Sequence, residues 1–169
     1  MGFTLRRLWN GRRIEVKLSK RSQDRIDTKV RALTPRNWGR SLDTCIKQVN
    51  QYLRGWIDFF GRSCTDEVSH TLETLDAHIR RRLRALLLKQ WKRKRTIVRR
   101  LVRLGVRART AWRYVYEGRK SLWALSHCSP VDRALNKVYF AERGLFSLEL
   151  QYRDMHQVVA PAQMSLALE

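Results

Sequence analysis

The sequence predicts a mainly α-helical protein that opens on one β-hairpin, continues as a three-helix bundle and closes with a smaller basic helical segment. Three observations carry this. Apolar residues alternate with polar ones between Phe3 and Leu18, then recur at a period near 3.6 from Ile26 onward. The chain of 169 residues is 43% hydrophobic, enough for a folded core. From Ala77 to Tyr116 there is no acidic residue, while fifteen arginines and lysines alternate with apolar residues at helical spacing.

In the hairpin, Phe3 and Leu5 lie on one run and Ile14, Val16 and Leu18 on the other, with Asn10-Gly11 between them. That pair suits the positive φ angles of a type I′ turn. Ser19 can cap a first helix carrying Ile26, Val30 and Leu33, and Pro35 stops it. Ser41 can cap a second, with Leu42, Cys45, Ile46, Val49, Leu53, Trp56, Ile57 and Phe60 along one side and Gly61 at its end. Gly55 inside that helix, a cost of about 1 kcal/mol relative to alanine, marks either a close approach by another backbone or a mild defect carried by strong packing. A third helix is expected from Thr65 or Asp66, with a core stripe of Leu72, Leu75, Ile79, Leu83 and Leu86; Arg80, Arg81, Arg84 and Lys92 project on the far side. Leu88, out of place among those cations, predicts contact with a further element. The cluster Lys92–Arg95 breaks the helix. Ile97, Leu101 and Leu104 form a short stripe closed by Gly105, and a fifth helix runs from about Arg107 to Glu117 with Gly118 after it. Ser129-Pro130 starts a last helix carrying Val131, Leu135, Val138 and Tyr139 up to Gly144. Beyond Tyr152 the periodic signal fades. The expected segments are 1–18, 19–92, 93–152 and a tail, 153–169.

A net charge of +21 is extreme for this length, and self-repulsion of that size calls for a polyanion, nucleic acid being the commonest. No run of about 18 apolar residues offers a membrane span, and no apolar signal-peptide core follows Met1. Cys45, Cys64 and Cys128 form no metal-binding spacing with the four histidines, and read as reduced thiols in a cytoplasmic protein. Asp24, Asp27, Asp43, Asp58, Asp66, Glu67 and Asp76 are scattered, so no convergent carboxylate set, nucleotide-binding glycine loop or nucleophile–base pattern is visible. No catalytic residue, metal site or cofactor is therefore expected. The basic set is the functional candidate. Arginine dominates it, as suits bidentate contact with phosphate. Trp38, Trp91, Trp112 and Trp123, interleaved with the charge, are either core residues or stacking surfaces for bases.

Several spaced elements point further: Leu33-Thr34-Pro35-Arg36, Arg40-Ser41-Leu42, Asn50, Tyr52-Leu53-Arg54-Gly55-Trp56 with Phe59-Phe60, Leu75-Asp76, Ile79-Arg80-Arg81-Arg82-Leu83 and Lys89-Gln90-Trp91-Lys92. In this order they resemble the maturase-specific X, or thumb, domain of group II intron-encoded proteins. Gly2-Phe3 and the hairpin resemble the end of the reverse-transcriptase palm. The stretch from Thr96 through Ser129-Pro130, Ala134-Leu135-Asn136, Gly144-Leu145 and Ser147-Leu148 resembles the basic DNA-binding segment of the bacterial proteins. The Tyr-x-Asp-Asp polymerase site is absent, and so is the optional HNH nuclease. Phe59 stands where tyrosine is usual.

The resemblance implies a C-terminal part of such a protein that begins inside the palm, with residues 19–92 as a thumb gripping intron RNA and primer-template in the bacterial cytoplasm. Magnesium would belong only to a palm that this sequence does not contain. The expected RNA contacts are Arg80, Arg81, Arg84, Lys89, Lys92, Arg93, Lys94 and Arg95, with Arg36, Arg40 and Arg54 as a second cluster. Arg99, Arg100, Arg103, Arg107, Arg109 and Arg113 would reach target DNA or more RNA. Gly55, Trp56, Phe59, Phe60 and Trp91 are expected to be structural. Three readings stay open: an RNA-binding maturase domain with no catalysis of its own; one part of a split RNA-directed DNA polymerase that works only with a separate fingers/palm chain; and a degenerate, truncated remnant.

Overall fold

A computed structural model describes residues 2–7, 14–35, 39–62, 68–118 and 120–157. Strands β1 (Phe3–Arg7) and β2 (Ile14–Leu18) pair antiparallel, Phe3 opposite Leu18 and Leu5 opposite Val16. The Asn10-Gly11 turn lies outside the described residues. Nine helices follow among the described residues, so an N-terminal hairpin precedes a mostly α-helical, thumb-like bundle.

The caps expected from the sequence act as expected. Ser19 Oγ accepts the Ser22 N–H at 3.2 Å and opens α1 (Lys20–Leu33). Ser41 Oγ accepts the Thr44 N–H at 3.2 Å and opens α2 (Leu42–Phe60). Each satisfies an amide that the helix cannot. Helix α3 spans Val68–Gln90; its expected start at Thr65 or Asp66 lies outside the described residues. Then come α4 (Lys94–Arg103), α5 (Ala108–Tyr116), α6 (Leu122–Leu125), α7 (Ser129–Ala134), α8 (Lys137–Ala141) and α9 (Leu148–Gln157).

Two expectations fail here. The last helix is two helices, because the Asn136 side chain accepts the Tyr139 N–H at 2.9 Å and restarts the chain as α8. The cap of α7 is Cys128 rather than Ser129, with Pro130 in its first turn. Gly55 is exposed, and a Cβ built on it would meet nothing within 4 Å, so no backbone approaches it. Close approaches are found instead at Gly2, where a Cβ would come within 2.8 Å of the Phe60 ring, and at Gly61, where it would come within 2.6 Å of Ile57 O.

The chain divides into two compact units. The first comprises residues 1–29, 50–76 and 146–169, the second 30–49 and 77–145. In the first, Leu18, Ile26, Leu53, Trp56, Ile57, Val68, Leu72, Leu148 and Tyr152 are buried. The Trp56 and Phe60 rings stack with centroids 4.8 Å apart, and Phe3 lies against Phe60 at 5.2 Å. Buried Asp76 receives Ser147 Oγ at 2.7 Å and the Leu148 and Glu149 N–H groups at 3.1 and 3.3 Å. A carboxylate thus sits at the positive end of α9. Asn50 Oδ1 accepts the Phe146 N–H at 2.9 Å just before it.

In the second unit α3 is buried on every side from Leu83 to Leu88, and Leu88 itself is 0% exposed, as its isolation among cations suggested. Each such leucine contributes about 1.5–3 kcal/mol. Arg82 ties the end of α1 down: its Nε donates to Thr34 Oγ1 at 2.6 Å and its Nη2 to the Thr34 and Arg31 carbonyls at 3.2 and 3.3 Å. Burial pushes the Cys45 thiol up to about 11, with Arg82 pulling weakly the other way. It stays protonated and donates to Leu33 O at 3.3 Å. Among the described residues no group of His, Cys, Asp and Glu could hold a metal, and no helix is long and apolar enough to cross a membrane.

Candidate nucleic-acid interface

The second unit carries 24 lysines and arginines against 4 acids, a net +20. Its basic surface begins at the corner after α3. Trp91 is buried and its N–H donates to Leu87 O at 2.9 Å. Lys92 then takes φ = 57°, the left-handed region that costs a side-chain-bearing residue about 1–2 kcal/mol. The Arg93 N–H returns to Trp91 O at 2.7 Å, and α4 starts one residue later. This corner leaves Lys92, Arg93, Lys94 and Arg95 all exposed.

Helix α4 buries Ile97, Val98 and Leu101 and turns Arg95, Arg99 and Arg103 outward. Those three are spaced i, i+4, i+8 and so share one face. Leu104, expected in the core stripe, is 37% exposed, and Val98 takes its place. Like charges at i, i+4 destabilise an isolated helix by about 0.2–0.5 kcal/mol per pair. None of the three has a carboxylate partner among the described residues, and neither have Arg109 and Arg113 on α5. A sequence that keeps such repulsion unscreened is built for an external anion.

Helix α5 packs on α4 through Ala111 and Val115. Trp112 and Tyr116 stack with ring centroids 4.9 Å apart, although both are exposed, at 45% and 43%. Lys94 Nζ lies 5.2 Å from the Tyr116 ring centroid. The other described tryptophans are engaged elsewhere. Trp56 and Trp91 are buried, and Trp123 is half-buried with the Arg81 guanidinium 4.2 Å over its ring. Trp38 lies outside the described residues. Among the described residues Trp112 is thus the tryptophan available for stacking on a base.

The expected contacts divide. Lys89, Lys92, Arg93, Lys94, Arg95, Arg99, Arg100, Arg103, Arg107, Arg109 and Arg113 are exposed in the second unit. Arg80 and Arg81 are half-buried there. Arg40 is exposed, its carbonyl accepting from Gln90 Nε2 at 2.9 Å. Arg54 belongs to the first unit, with its guanidinium 5.6 Å over the Phe146 ring. Arg36 lies outside the described residues. Of the structural set, Trp56, Phe60 and Trp91 pack as expected, while Phe59 is 65% exposed.

Arg84 does not project outward. It is 8% exposed, its Nε donates to Leu135 O at 2.9 Å, and its Nη1 reaches Ser126 O and the Asp132 carboxylate. Burial lowers its proton affinity, and Asp132 partly restores it. Helix α7 and the turns that end α6 and α7 supply these acceptors, so a residue on the polar face of an isolated α3 becomes an internal tie. Arg133, absent from the expected set, is exposed on α7; no periodic pattern singled it out.

Residues 23–105, about half of the chain, match the family model described as Group II intron, maturase-specific domain. No curated protein matches the chain.

Proposed function

We propose that this chain, which carries the maturase-specific domain of group II intron proteins and with it their RNA-binding role in intron splicing, grips intron RNA through the Lys92–Arg95 corner and the outward face of α4. The matched region is the non-catalytic maturase-specific domain and not the reverse-transcriptase active-site region. The observation that carries the reading is the outward row Arg95, Arg99 and Arg103, unpaired with any carboxylate among the described residues. Neutralising backbone phosphates and matching the shape of a folded RNA is what such a row does, each planar guanidinium fork being suited to bidentate contact with phosphate oxygens. Arg40, Arg80, Arg81 and Lys89 of the same unit add contacts, and Arg54 of the first unit adds a separate one. Arg84 is left out of it. Residues 93–152 extend past the matched domain, and we assign their α5 cations and the Trp112–Tyr116 pair to target DNA or additional RNA. The place of action is the bacterial cytoplasm, where intron RNA is made.

The test is a salt titration of binding to a group II intron RNA. If six to ten phosphates are neutralised, affinity falls by about 10³ to 10⁵ between 50 and 200 mM salt. Replacing Arg95, Arg99 and Arg103 together by glutamine lowers the log–log slope by about 3, since each lost contact removes roughly 0.9. The same variant melts no lower than the parent, because like-charge repulsion is relieved. A flat salt dependence overturns the reading.

A second reading has its own support. Leu5 and Phe59 are 68% and 65% exposed beside a two-stranded sheet that is marginal alone. A separate palm chain seated there would make this protein one part of a split polymerase. Primer extension that appears only when both chains are mixed supports it, and no extension in the mixture removes it.

A further inference from the structure

Among its described residues the second unit also holds a recessed site. A cleft of about 380 Å³ opens between the α4–α5 turn, α5 and the start of α7. Arg107, Arg113 and Arg133 enter it from these three directions, with Thr110, Tyr114 and Ser129 supplying hydroxyl groups between them. None of the three arginines has a carboxylate partner among the described residues. Asp132, next to Arg133 in the chain, is bonded to Arg84 instead. Tyr114 has two cations near its ring, the same Arg113 guanidinium 5.0 Å and in addition Lys120 Nζ 5.4 Å from the centroid.

Three convergent guanidinium groups with donors only, plus hydroxyls, describe a receptor for a group with several acceptor oxygens and a negative charge. The volume is near the lower end of the ~300–1,000 Å³ that holds a small organic ligand. It exceeds what a bare phosphate fills and cannot admit a duplex. We propose that this cleft seats one unpaired nucleotide of a nucleic-acid strand, its phosphate held by Arg107, Arg113 and Arg133 and its base side against Tyr114. Apart from its rim at Gly105 the site lies outside residues 23–105, so the matched domain does not account for it. The proposal rests on the reading of residues 93–152 as a segment that faces nucleic acid, and it adds a second class of contact: one ordered nucleotide rather than a phosphate row.

The experiment uses the full chain labelled with ¹⁵N. It is titrated with inorganic phosphate, with a nucleoside 5′-monophosphate, with a short single-stranded RNA and with the same RNA as a duplex. The single strand should shift the Thr110 and Ser129 amide signals and bind well above the two free phosphates. Arg133→Ala and, separately, Arg107→Ala should each weaken single-strand binding by roughly tenfold, the value of a charge-assisted hydrogen bond. Arg25→Ala, which removes the same charge from an exposed site in the first unit, should change it less than twofold. Equal losses in all three variants, or pocket amides that do not move, overturn the proposal. A monophosphate binding as tightly as the strand overturns the strand as the source. If the pocket signals stay still while intron RNA still binds with a steep salt dependence, the pocket alone falls. If the salt dependence is also flat, the broader reading falls with it.

Discussion

The two units of this protein are built by the same apolar rules and charged by opposite ones. The first holds 12 lysines and arginines against 11 acids, a net +1; the second holds 24 against 4, a net +20. Each has its buried leucines, isoleucines and a tryptophan, and each ties a distant segment to a long helix through a buried charged group. In the first unit that group is Asp76, which accepts three hydrogen bonds at the start of α9. In the second it is Arg84, which donates to α6, α7 and the turn after α7. The signs follow the setting. A unit with balanced charge can spare a carboxylate to cap a helix, whereas a unit at +20 uses an arginine and one of its four acids. Charge excess is therefore not a by-product of how the second unit folds. Its long-range ties are made by Arg82, Arg84 and Asp132, whereas Arg95, Arg99 and Arg103 on α4 have no carboxylate partner among the described residues.

The sharpest way to break that contrast is to test a tie and a surface cation from one helix face. Arg84→Ala removes the donor from Leu135 O and leaves the Asp132 carboxylate half-buried without its partner. The expected loss is about 3 kcal/mol of stability by urea denaturation, at the low end for a broken buried pair because Asp132 keeps some access to water. Arg84→Lys should not restore it, since one ammonium cannot reproduce a planar fork bonded in three directions. Arg80→Ala, one turn earlier and half-buried, should leave stability within about 0.5 kcal/mol, as for ordinary surface positions, and weaken RNA binding instead. Equal stability losses at 80 and 84 would erase the distinction between tie and surface.

The next contrast is between two tryptophans, one in each unit. Trp112→Ala should cost about 1–3 kcal/mol of single-strand affinity, the worth of one stacked base, with little effect on unfolding because the ring is 45% exposed. Trp56→Ala should do the reverse, costing about 3–5 kcal/mol of stability through the cavity it leaves. A competition assay with an unstructured RNA, read beside a thermal melt, separates the two. A Trp112 variant that melts far below the parent would place that ring in the core, despite its exposure.

The parts of this fold that the sequence announced are those determined within a few residues. Ser19 and Ser41 cap the helices they precede, Pro35 and Gly61 mark their ends, and the Lys92–Arg95 cluster breaks α3 as its charge density suggested. What it hid is fixed over long separations. Arg84 bonds to a carbonyl 51 residues away, and α9 exists because Asp76 waits 72 residues upstream of Leu148. Neither partner leaves a periodic mark. Asp76 and Asn50 did stand among the residues that carried the family resemblance, without their task being visible. The corner at 92–95 and the outward rows of α4 and α5 were legible because repeated charge without acids is itself a local pattern. Arg133 and the cleft it lines were not, because the α4–α5 turn, α5 and α7 must first meet.

The smallest effect tests a point at which sequence and structure part. Gly55 reads as a place where something comes close, yet it is exposed in the middle of α2 with open space around it. In the free protein Gly55→Ala should therefore stabilise, by about 1 kcal/mol, since alanine restricts the unfolded chain and suits a helix interior. An increase in melting temperature with unchanged RNA affinity makes this glycine a tolerated weakness of the balanced unit. A variant that is more stable but binds RNA or a palm chain less well would mean that the partner supplies the close approach the sequence suggested, against a helix left bare to receive it. That outcome would give the nearly neutral first unit a binding surface made by the absence of a side chain, in contrast to the second unit's surface made by an excess of charged ones.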